Sequence, residues 1–266
     1  MILAFSNGLG LAAAAGAATA YAALALGTAR LGENTLRALL TAAWALHALT
    51  LVEALLGVPP RFGFAPALSM TVWLVLTVYA VERRLFPQMK AHWALAGLGS
   101  AAVLLAVVFP GTSYHAMASP WLPLHWALGI ASYGLFAAAA VHGWLMVRAE
   151  RAMRLAEQND AGVPLLTLER LTFRFVEAGF VLLSATLAVG WLFAETLYGP
   201  GLGWKWDHKT IFSLLAWAAF AGLLIGRARL GWRGLKAVRV LYLGAGLLLL
   251  SYAGSRFVLE VILRRA

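Results

Sequence analysis

Cysteine is absent from the 266 residues of this sequence. The absence excludes disulfide bonds, thiolate-bound metal ions, cysteine-based redox chemistry and covalent attachment of a prosthetic group through the protein's own thiols. The six histidines are scattered and show none of the paired spacings that bind zinc. Two common catalytic motifs, GxxxxGK[ST] and GxSxG, are also missing. The remaining candidates for a binding or catalytic role are therefore isolated histidines, tryptophans and a few carboxylates.

Charged residues are scarce as well. They make up 12% of the sequence, against about a quarter in a typical soluble domain. Hydrophobic residues make up 62%, and they recur in runs of about 17 to 25 residues, the length that crosses a bilayer. These features predict an all-α fold: a polytopic integral membrane helical bundle of about eight transmembrane helices, forming one transmembrane domain over residues 1–266.

The apolar runs predict where the eight spans lie. Each run is separated from the next by a short stretch that is rich in glycine, proline or charge. The predicted spans are approximately Phe5–Ala29, Leu36–Gly57, Ala65–Val81, His92–Pro110, Leu122–Val147, Val176–Tyr198, Thr210–Gly226 and Val238–Ser255.

The positions of lysine and arginine predict the orientation. With the N-terminus outside, the cytoplasmic connections contain 15 of the 21 Lys and Arg residues, as the positive-inside rule requires. Topology therefore explains the net charge of +10 better than nucleic-acid binding does, and we expect no nucleic-acid partner. The sequence predicts a multi-pass protein of the bacterial inner membrane. Its four cytoplasmic connections are Arg30–Arg37, Glu82–Lys90, Arg148–Arg174 and Arg227–Arg239.

One outer connection, GPGLGWKWDHKT at residues 199–210, gathers charges between two tryptophans. Its glycines and proline end the sixth helix and delay the start of the seventh. Asp207 is placed to cap the seventh helix by accepting a hydrogen bond from a backbone N–H near Thr210. Trp204 and Trp206 have two interpretations, as members of the interfacial aromatic belt or as a binding platform.

Histidines at the outer face favour the binding platform. His115, His125 and His208 all lie at this face, whereas His47 lies near the middle of the second span. Neutral imidazole is a common axial ligand of haem iron, and the flat macrocycle favours aromatic surfaces. Haem therefore fits this combination of residues.

Charged residues near the same face fit a haem too. The haem propionates would attract Lys205, Lys209 or Arg256. Two carboxylates, Glu53 and Glu195, also lie near this face and need a partner or water there. Arg61 and Arg256 are the candidate partners for them.

The segment GWKWDHKTIFSLLAWAAFAG resembles the external tryptophan-rich motif WGxxWxWDxxET of the cytochrome c assembly family, the haem-handling membrane proteins typified by CcsA and CcmC. Upstream, SPWLPLHWALGIASYGLF resembles the family's segment of Trp, hydrophobic residues and His before a span, which includes Trp121. The likeness covers a core of about residues 121–259. The residues that match the tryptophan motif are Trp204, Trp206, Asp207, Lys209, Thr210 and Trp217.

The sequence departs from this pattern where the synthase-type members carry further residues. His208 replaces a proline, the motif's glutamate is missing, and SYAGSRFVLE stands where those members carry a second external histidine. The resemblance is therefore to the small eight-span branch, HemX-like or YpjD-like. It implies non-covalent binding of b-type haem at the outer, periplasmic face, and haem delivery or binding rather than a complete cytochrome c synthase. The implied partners are haem, the lipid bilayer, and apocytochrome c or other cytochrome-assembly proteins.

His125 takes the position of the family's first external haem ligand. Candidates for the second axial ligand are His208, His115 and His47. His115 shares a short loop with His125, and His47 lies too deep for a haem that rests on an external loop. His208 stands at the head of another helix. We expect His125 and His208 to ligate the iron.

Two other classes of function are open at this point. A small-solute transporter or channel would use Glu53, Glu195 and His47 as polar positions across the membrane. A structural subunit of a membrane complex would bind no cofactor and use its tryptophans only at the interface. Retention of haem on purification separates haem handling from both.

Overall fold

The computed structural model describes residues 8–27, 32–57, 61–85, 92–113, 121–155, 163–195 and 206–262. Almost all of these residues are helical, because a bilayer offers no water to the backbone and every N–H and C=O must be satisfied within the segment. The main helices are α1 (Gly8–Gly27), α2 (Glu33–Leu56), α3 (Phe64–Leu85), α4 (His92–Val108), α5 (Trp121–Arg154), α6 (Leu165–Leu192), α7 (His208–Leu230) and α8 (Gly234–Leu249).

Two further features complete the described chain. The helix α8 continues as a π-helical turn (Leu250–Gly254), a short α-helical turn (Ser255–Phe257) and a second π-helical turn (Val258–Ile262). A two-residue strand β1 (Arg61–Phe62) pairs antiparallel with β2 (Thr112–Ser113). Among the described residues, seven helices are long and apolar enough to cross a membrane, and the shorter apolar helix Trp93–Val108 lies within α4. The predicted all-α, polytopic membrane fold is confirmed.

The helices α5 and α6 extend beyond the predicted spans. At 1.5 Å per residue, the 34 residues of α5 extend about 51 Å, well beyond the roughly 30 Å of a hydrocarbon core. The predicted cytoplasmic connection Arg148–Arg174 is therefore helical at both ends. α6 begins at Leu165, directly after its N-cap residue Pro164, whose carbonyl accepts from the backbone N–H of Leu168 at 3.1 Å. α6 thus begins before Val176, the predicted start of the sixth span, because its first turns carry charged residues that an apolar run excludes. The boundary of the span itself stays a prediction.

The chain divides into two compact units, residues 1–116 with 256–266 and residues 117–255. In the first unit α1 packs against α2 and α4. Alanines on α1 and α4 are fully buried, and the Ser100 hydroxyl donates to the carbonyl of Ala18 at 3.0 Å. Small residues let helix backbones approach closely, which is the usual basis of packing in membranes. The single-domain arrangement over 1–266 stays a prediction.

The second unit is built around two stacked aromatic rings. Phe136 of α5 and Phe220 of α7 lie parallel, with ring centroids 3.7 Å apart. A glycine makes room for each ring: a Cβ on Gly179 of α6 would lie 3.1 Å from Phe136, and one on Gly244 of α8 would lie 2.7 Å from Phe220. Four helices therefore meet at one aromatic pair.

A charged cluster joins α6 and α7 at one end of this unit. The carboxylate of Glu169 accepts from Arg227 at 3.1 Å and lies 3.7 Å from Arg233. The Arg227 guanidinium also lies over the ring of Phe173, 3.5 Å from its centroid. Glu169 stands near the start of α6 and Arg227 near the end of α7, so the end of α6 and the start of α7 lie at the opposite end of the unit.

Candidate functional site

His125 lies in the second turn of α5 and is tied to α6. Its Nδ1 lies 3.1 Å from the backbone carbonyl of Thr186. A carbonyl oxygen only accepts, so Nδ1 carries the hydrogen and Nε2 keeps its lone pair. Within the described residues no side chain or backbone group bonds to Nε2. Histidines that bind a metal characteristically donate their other ring N–H in this way, which fixes both the tautomer and the orientation of the ring.

The start of α5 makes a second contact with α6 through aromatic rings. Trp121, the first residue of α5, stacks on Phe193 at the C-terminus of α6 with centroids 3.8 Å apart and planes 11° from parallel. This stack and the bond from His125 to Thr186 hold the two helix ends together. The imidazole is therefore held next to an aromatic surface.

The start of α7 follows the predicted capping arrangement. Asp207 has extended backbone geometry, and its carboxylate accepts from the backbone N–H of Thr210 at 2.9 Å. The predicted cap is confirmed, and it fixes where α7 begins. Trp206, on one side of Asp207, is 72% exposed, and His208, on the other side, is the first residue of the helix and also exposed. Both side chains therefore face away from the protein core at this helix end.

A positive charge lies close to His125. Lys209, in the first turn of α7, acts electrostatically on the His125 ring. The ammonium group of Lys209 also lies 5.6 Å from the ring centroid of Tyr252. The starts of α5 and α7, which are distant in sequence, are thereby placed at one end of the second unit.

The π-helical turn of α8 adds polar groups to this end. Ser251 of that turn is buried and shares a hydrogen bond of 2.7 Å with Ser213 of α7. The hydroxyl of Tyr133 donates to the carbonyl of Leu248, one turn earlier on α8. π-Helical turns are rare and occur frequently at functional sites. This turn contains SYAG, the sequence that stands in place of the second external histidine of the synthase-type pattern.

Several predicted site residues are not brought into this arrangement. His47 belongs to the first unit, where it is fully buried and its Nε2 lies 2.8 Å from the Ser69 hydroxyl. His115 and Trp204 lie outside the described residues, as does Lys205. Of the ion pairs within the described part of the chain, none includes Glu53 or Glu195, so the expected pairing with Arg61 or Arg256 is wrong. Glu53 is partly exposed and Glu195 is exposed.

Sequence reasoning missed several residues that make contacts at this end of the second unit. Thr186 contributes a backbone carbonyl, Phe193 a stacking ring, and Ser213 with Ser251 a hydroxyl pair. None belongs to a motif, and each is distant in sequence from its partner. The serines of SYAGS were the only visible hint of these contacts in the sequence. Their position could not be interpreted without the π-helical turn that contains Ser251.

The sequence of this chain is similar to several known proteins. A family model described as cytochrome C assembly protein matches residues 33–263. A protein of Azospirillum brasilense, described as an uncharacterized 28.8 kDa protein in the nifR3-like 5' region, is 33% identical over 146 residues, 54% of this chain and 53% of that protein. Inner membrane protein YpjD of Escherichia coli is 28% identical over 197 residues, 73% of this chain and 72% of that protein.

Relatives named for cytochrome c biogenesis match a shorter part of the chain. Cytochrome c biogenesis protein CcsA of Gloeobacter violaceus is 30% identical over 94 residues, which is 35% of this chain and 27% of that protein. The chain thus matches about half of the Azospirillum protein and about a quarter of CcsA. No solved structure matches the chain significantly.

Proposed function

This chain belongs to the cytochrome C assembly protein family, and from that premise we propose that it binds b-type haem non-covalently, with His125 as an axial ligand. The observation that carries the proposal is the hydrogen bond from His125 to the carbonyl of Thr186. With the hydrogen on Nδ1, Nε2 is unprotonated and its lone pair has a fixed direction. Iron binds an imidazole nitrogen in this form. The donor set at this end of the second unit therefore fits a haem.

His208 is the proposed second ligand. It is exposed, it is the first residue of α7, and its neighbour Lys209 lies near enough to His125 to act on it electrostatically. The Asp207 cap fixes the backbone on which His208 stands. His115 stays a candidate from the sequence, and His47 is held by Ser69 in the first unit. The exposed imidazole of His208, at a fixed helix start, is therefore easier for a haem from outside the protein to reach than the buried imidazole of His47.

The aromatic and basic residues supply the rest of the proposed site. Trp206 presents a large exposed ring, and the stacked Trp121–Phe193 pair presents another apolar surface next to His125. Lys209 carries the charge that would attract a propionate. Trp204, which lies outside the described residues, is included in the proposed site through its match to the family motif. A bound haem would supply a redox-active iron, and the side chains described here bind and orient the group.

We propose that the site faces the periplasm from the inner membrane, with the N-terminus outside. The distribution of Lys and Arg supports this orientation, and the similar Escherichia coli protein is named an inner membrane protein. The resemblance extends the proposal to partners, which are apocytochrome c or other cytochrome-assembly proteins. Delivery or binding of haem is favoured over synthesis of cytochrome c, because the second external histidine of the synthase-type pattern is replaced by SYAGSRFVLE.

Haem content of the purified protein tests the proposal. We expect the protein from haem-replete cells to retain haem, and Trp206→Ala to weaken haem binding about ten- to hundredfold, because burying a large apolar side chain contributes roughly 1.5–3 kcal/mol. Trp206→Phe should lose less. Trp93→Ala is the matched control, since Trp93 is also an exposed tryptophan but lies in the first unit. Absence of haem from all these proteins, or equal haem in all of them, would leave Trp206 as an interfacial residue only.

A further inference from the structure

A tight turn, residues 227–236, connects α7 to α8 at the end of the second unit that lies opposite the proposed haem site. α7 is closed by Gly231 (φ 64°), and α8 begins at Gly234 (φ 56°), a backbone conformation that glycine adopts without strain. Between them, the backbone N–H of Trp232 donates to the carbonyl of Gly226 at 3.1 Å. The indole lies directly against Gly226, where a Cβ would overlap the ring. The side chains of this turn therefore project from a fixed backbone.

The turn lies at the depth of the lipid headgroups. At 1.5 Å per residue, the 23 residues of α7 extend about 35 Å, a little more than the roughly 30 Å of a hydrocarbon core. A helix of this length that begins in one headgroup region ends in the other. Leu230 and Leu235, on either side of Trp232, are exposed, and tryptophan is enriched at this depth. The turn therefore presents apolar surface beside the headgroups.

Cations outnumber anions at this turn. Residues 227–236 include the cations Arg227, Arg229, Arg233 and Lys236 and contain no aspartate or glutamate. The nearest carboxylate is that of Glu169 on α6, which accepts from Arg227 at 3.1 Å and lies 3.7 Å from Arg233. One negative charge thus faces two guanidinium groups, and positive charge remains in excess.

A second carboxylate faces the turn and is already paired. A Cβ on Gly234 would lie 3.8 Å from Oε2 of Glu150, which places this side chain of α5 beside the start of α8. The other oxygen of Glu150 accepts from Arg154 at 2.6 Å. Glu150 therefore does not neutralise the cations of the turn.

Two of the cations have no acidic partner. Arg229 and Lys236 are both exposed, and of the ion pairs within the described part of the chain none includes either residue. The Lys236 ammonium lies 4.4 Å from the ring centroid of Trp232, which holds it beside the indole. Arg229 and Lys236 thus offer positive charge and hydrogen-bond donors next to the exposed leucines.

We infer that this turn binds an anionic phospholipid of the phosphatidylglycerol type. The phosphate diester pairs with Arg229 and Lys236, and an acyl chain lies against Leu230 and Leu235. Guanidinium and ammonium groups are strong partners for phosphate oxygens, and basic residues at the membrane ends of helices attract anionic lipids. A lipid fits better than a soluble phosphate because the cations stand beside exposed apolar side chains at headgroup depth. The inference goes beyond haem binding, since it concerns the opposite end of the second unit.

A lipid-binding titration tests the inference. The full-length protein in a nonionic detergent would be titrated with phosphatidylglycerol that carries a fluorophore on one acyl chain, and binding would be followed by fluorescence anisotropy. We expect saturable binding. A lysine or arginine near a lipid phosphate contributes about fivefold in affinity, so Arg229→Gln and Lys236→Gln should each weaken binding about fivefold. The double variant should lose about twenty- to thirtyfold, and Arg229→Lys should retain most of the binding.

Arg84→Gln is the matched control. Arg84 is also an exposed arginine in the last turn of a helix, but it lies on α3 in the first unit, and its loss should leave binding unchanged. Equal weakening in Arg84→Gln and Arg229→Gln would overturn the inference, because the lipid would then respond to net charge and not to this turn.

Competing ligands separate a lipid from other sources of the same chemistry. Phosphatidylcholine with the same fluorophore should bind at least about fivefold more weakly, because its headgroup carries a compensating cation. Equal affinity for the two lipids would contradict the inference. So would displacement of the lipid by an equal concentration of inorganic phosphate, which would indicate a site for a soluble anion. The haem content of each variant should match that of the unmodified protein.

Discussion

Asp207 connects a short sequence motif to the geometry of the proposed haem site. Its carboxylate accepts the Thr210 N–H, one of the four backbone donors that the first turn of a helix leaves unpaired. The same residue separates Trp206 from His208. Because the cap fixes the backbone on both sides, Trp206 and His208 keep a constant position relative to the first turn of α7. The cap thereby acts on the site without touching a ligand.

Removing this cap should loosen the start of α7. We expect Asp207→Ala to cost about 0.5–2 kcal/mol, and Asp207→Asn or Asp207→Ser to cost less because both retain a capping oxygen. Hydrogen exchange at the Thr210 amide measures the effect locally, and the amide should exchange faster in the alanine variant alone. Equal protection in all three variants would show that lipid or neighbouring helices, and not Asp207, hold this turn.

The sequence predicted Asp207 but could not predict the partner of His125. A cap is a local feature, in which an aspartate precedes a helix by a fixed number of residues. The Thr186 carbonyl lies 61 residues from His125, and its role depends on how α5 and α6 pack. The stacking of Trp121 on Phe193 has the same tertiary origin. The position of His125 at the start of a helix was therefore predictable from the sequence, whereas the tautomer that suits it to the proposed role of a ligand was not.

Glycines set the packing of the helices around Phe136 and Phe220. Gly244 lies on α8 where a Cβ would lie 2.7 Å from the Phe220 ring, a distance that requires movement. Gly246 lies two residues later on the same helix, and a Cβ there meets nothing within 4 Å. Both glycines lie in the same helix with helical backbone geometry, and they differ in whether a side chain packs against the position of the missing Cβ.

Alanine substitutions at these two glycines should have opposite effects. We expect Gly244→Ala to destabilise the protein by roughly 1–3 kcal/mol through overpacking. Gly246→Ala should be neutral or stabilise it by up to about 1 kcal/mol, because alanine has the higher helix propensity. Thermal unfolding in detergent, followed by circular dichroism, distinguishes them. Equal midpoints for the two variants would contradict the close packing of α8 on Phe220.

The helices themselves were more predictable than their ends. Apolar runs identified each span, but α5 and α6 continue past the apolar runs, where pairs such as Arg154 with Glu150 support the exposed turns. The π-helical turn at Leu250–Gly254 had no sequence signal. Hydrophobicity marks the part of a helix in lipid, whereas its ends depend on caps and on neighbouring helices.

At the scale of the whole molecule, the proposed orientation decides which compartment the haem site faces. The absence of native cysteine allows single cysteines to report orientation without background. We expect an impermeant thiol reagent applied to intact cells to label Gly201→Cys and not Gln158→Cys, because the basic connections belong on the cytoplasmic side. Both positions lie outside the described residues. Labelling at Gln158→Cys alone would invert the topology.

The visible absorption spectrum of the purified protein and its histidine variants tests the central claim most directly. We expect a low-spin, bis-histidine haem spectrum that changes in His125→Ala and in His208→Ala and is partly restored by added imidazole. His142→Gln is the control, because His142 lies on the same helix α5 but is buried, with its Nδ1 bonded to the Ala138 carbonyl. An unchanged spectrum and haem content in His125→Ala would contradict the account, and loss of the spectrum in His47→Ala alone would move the haem to the first unit.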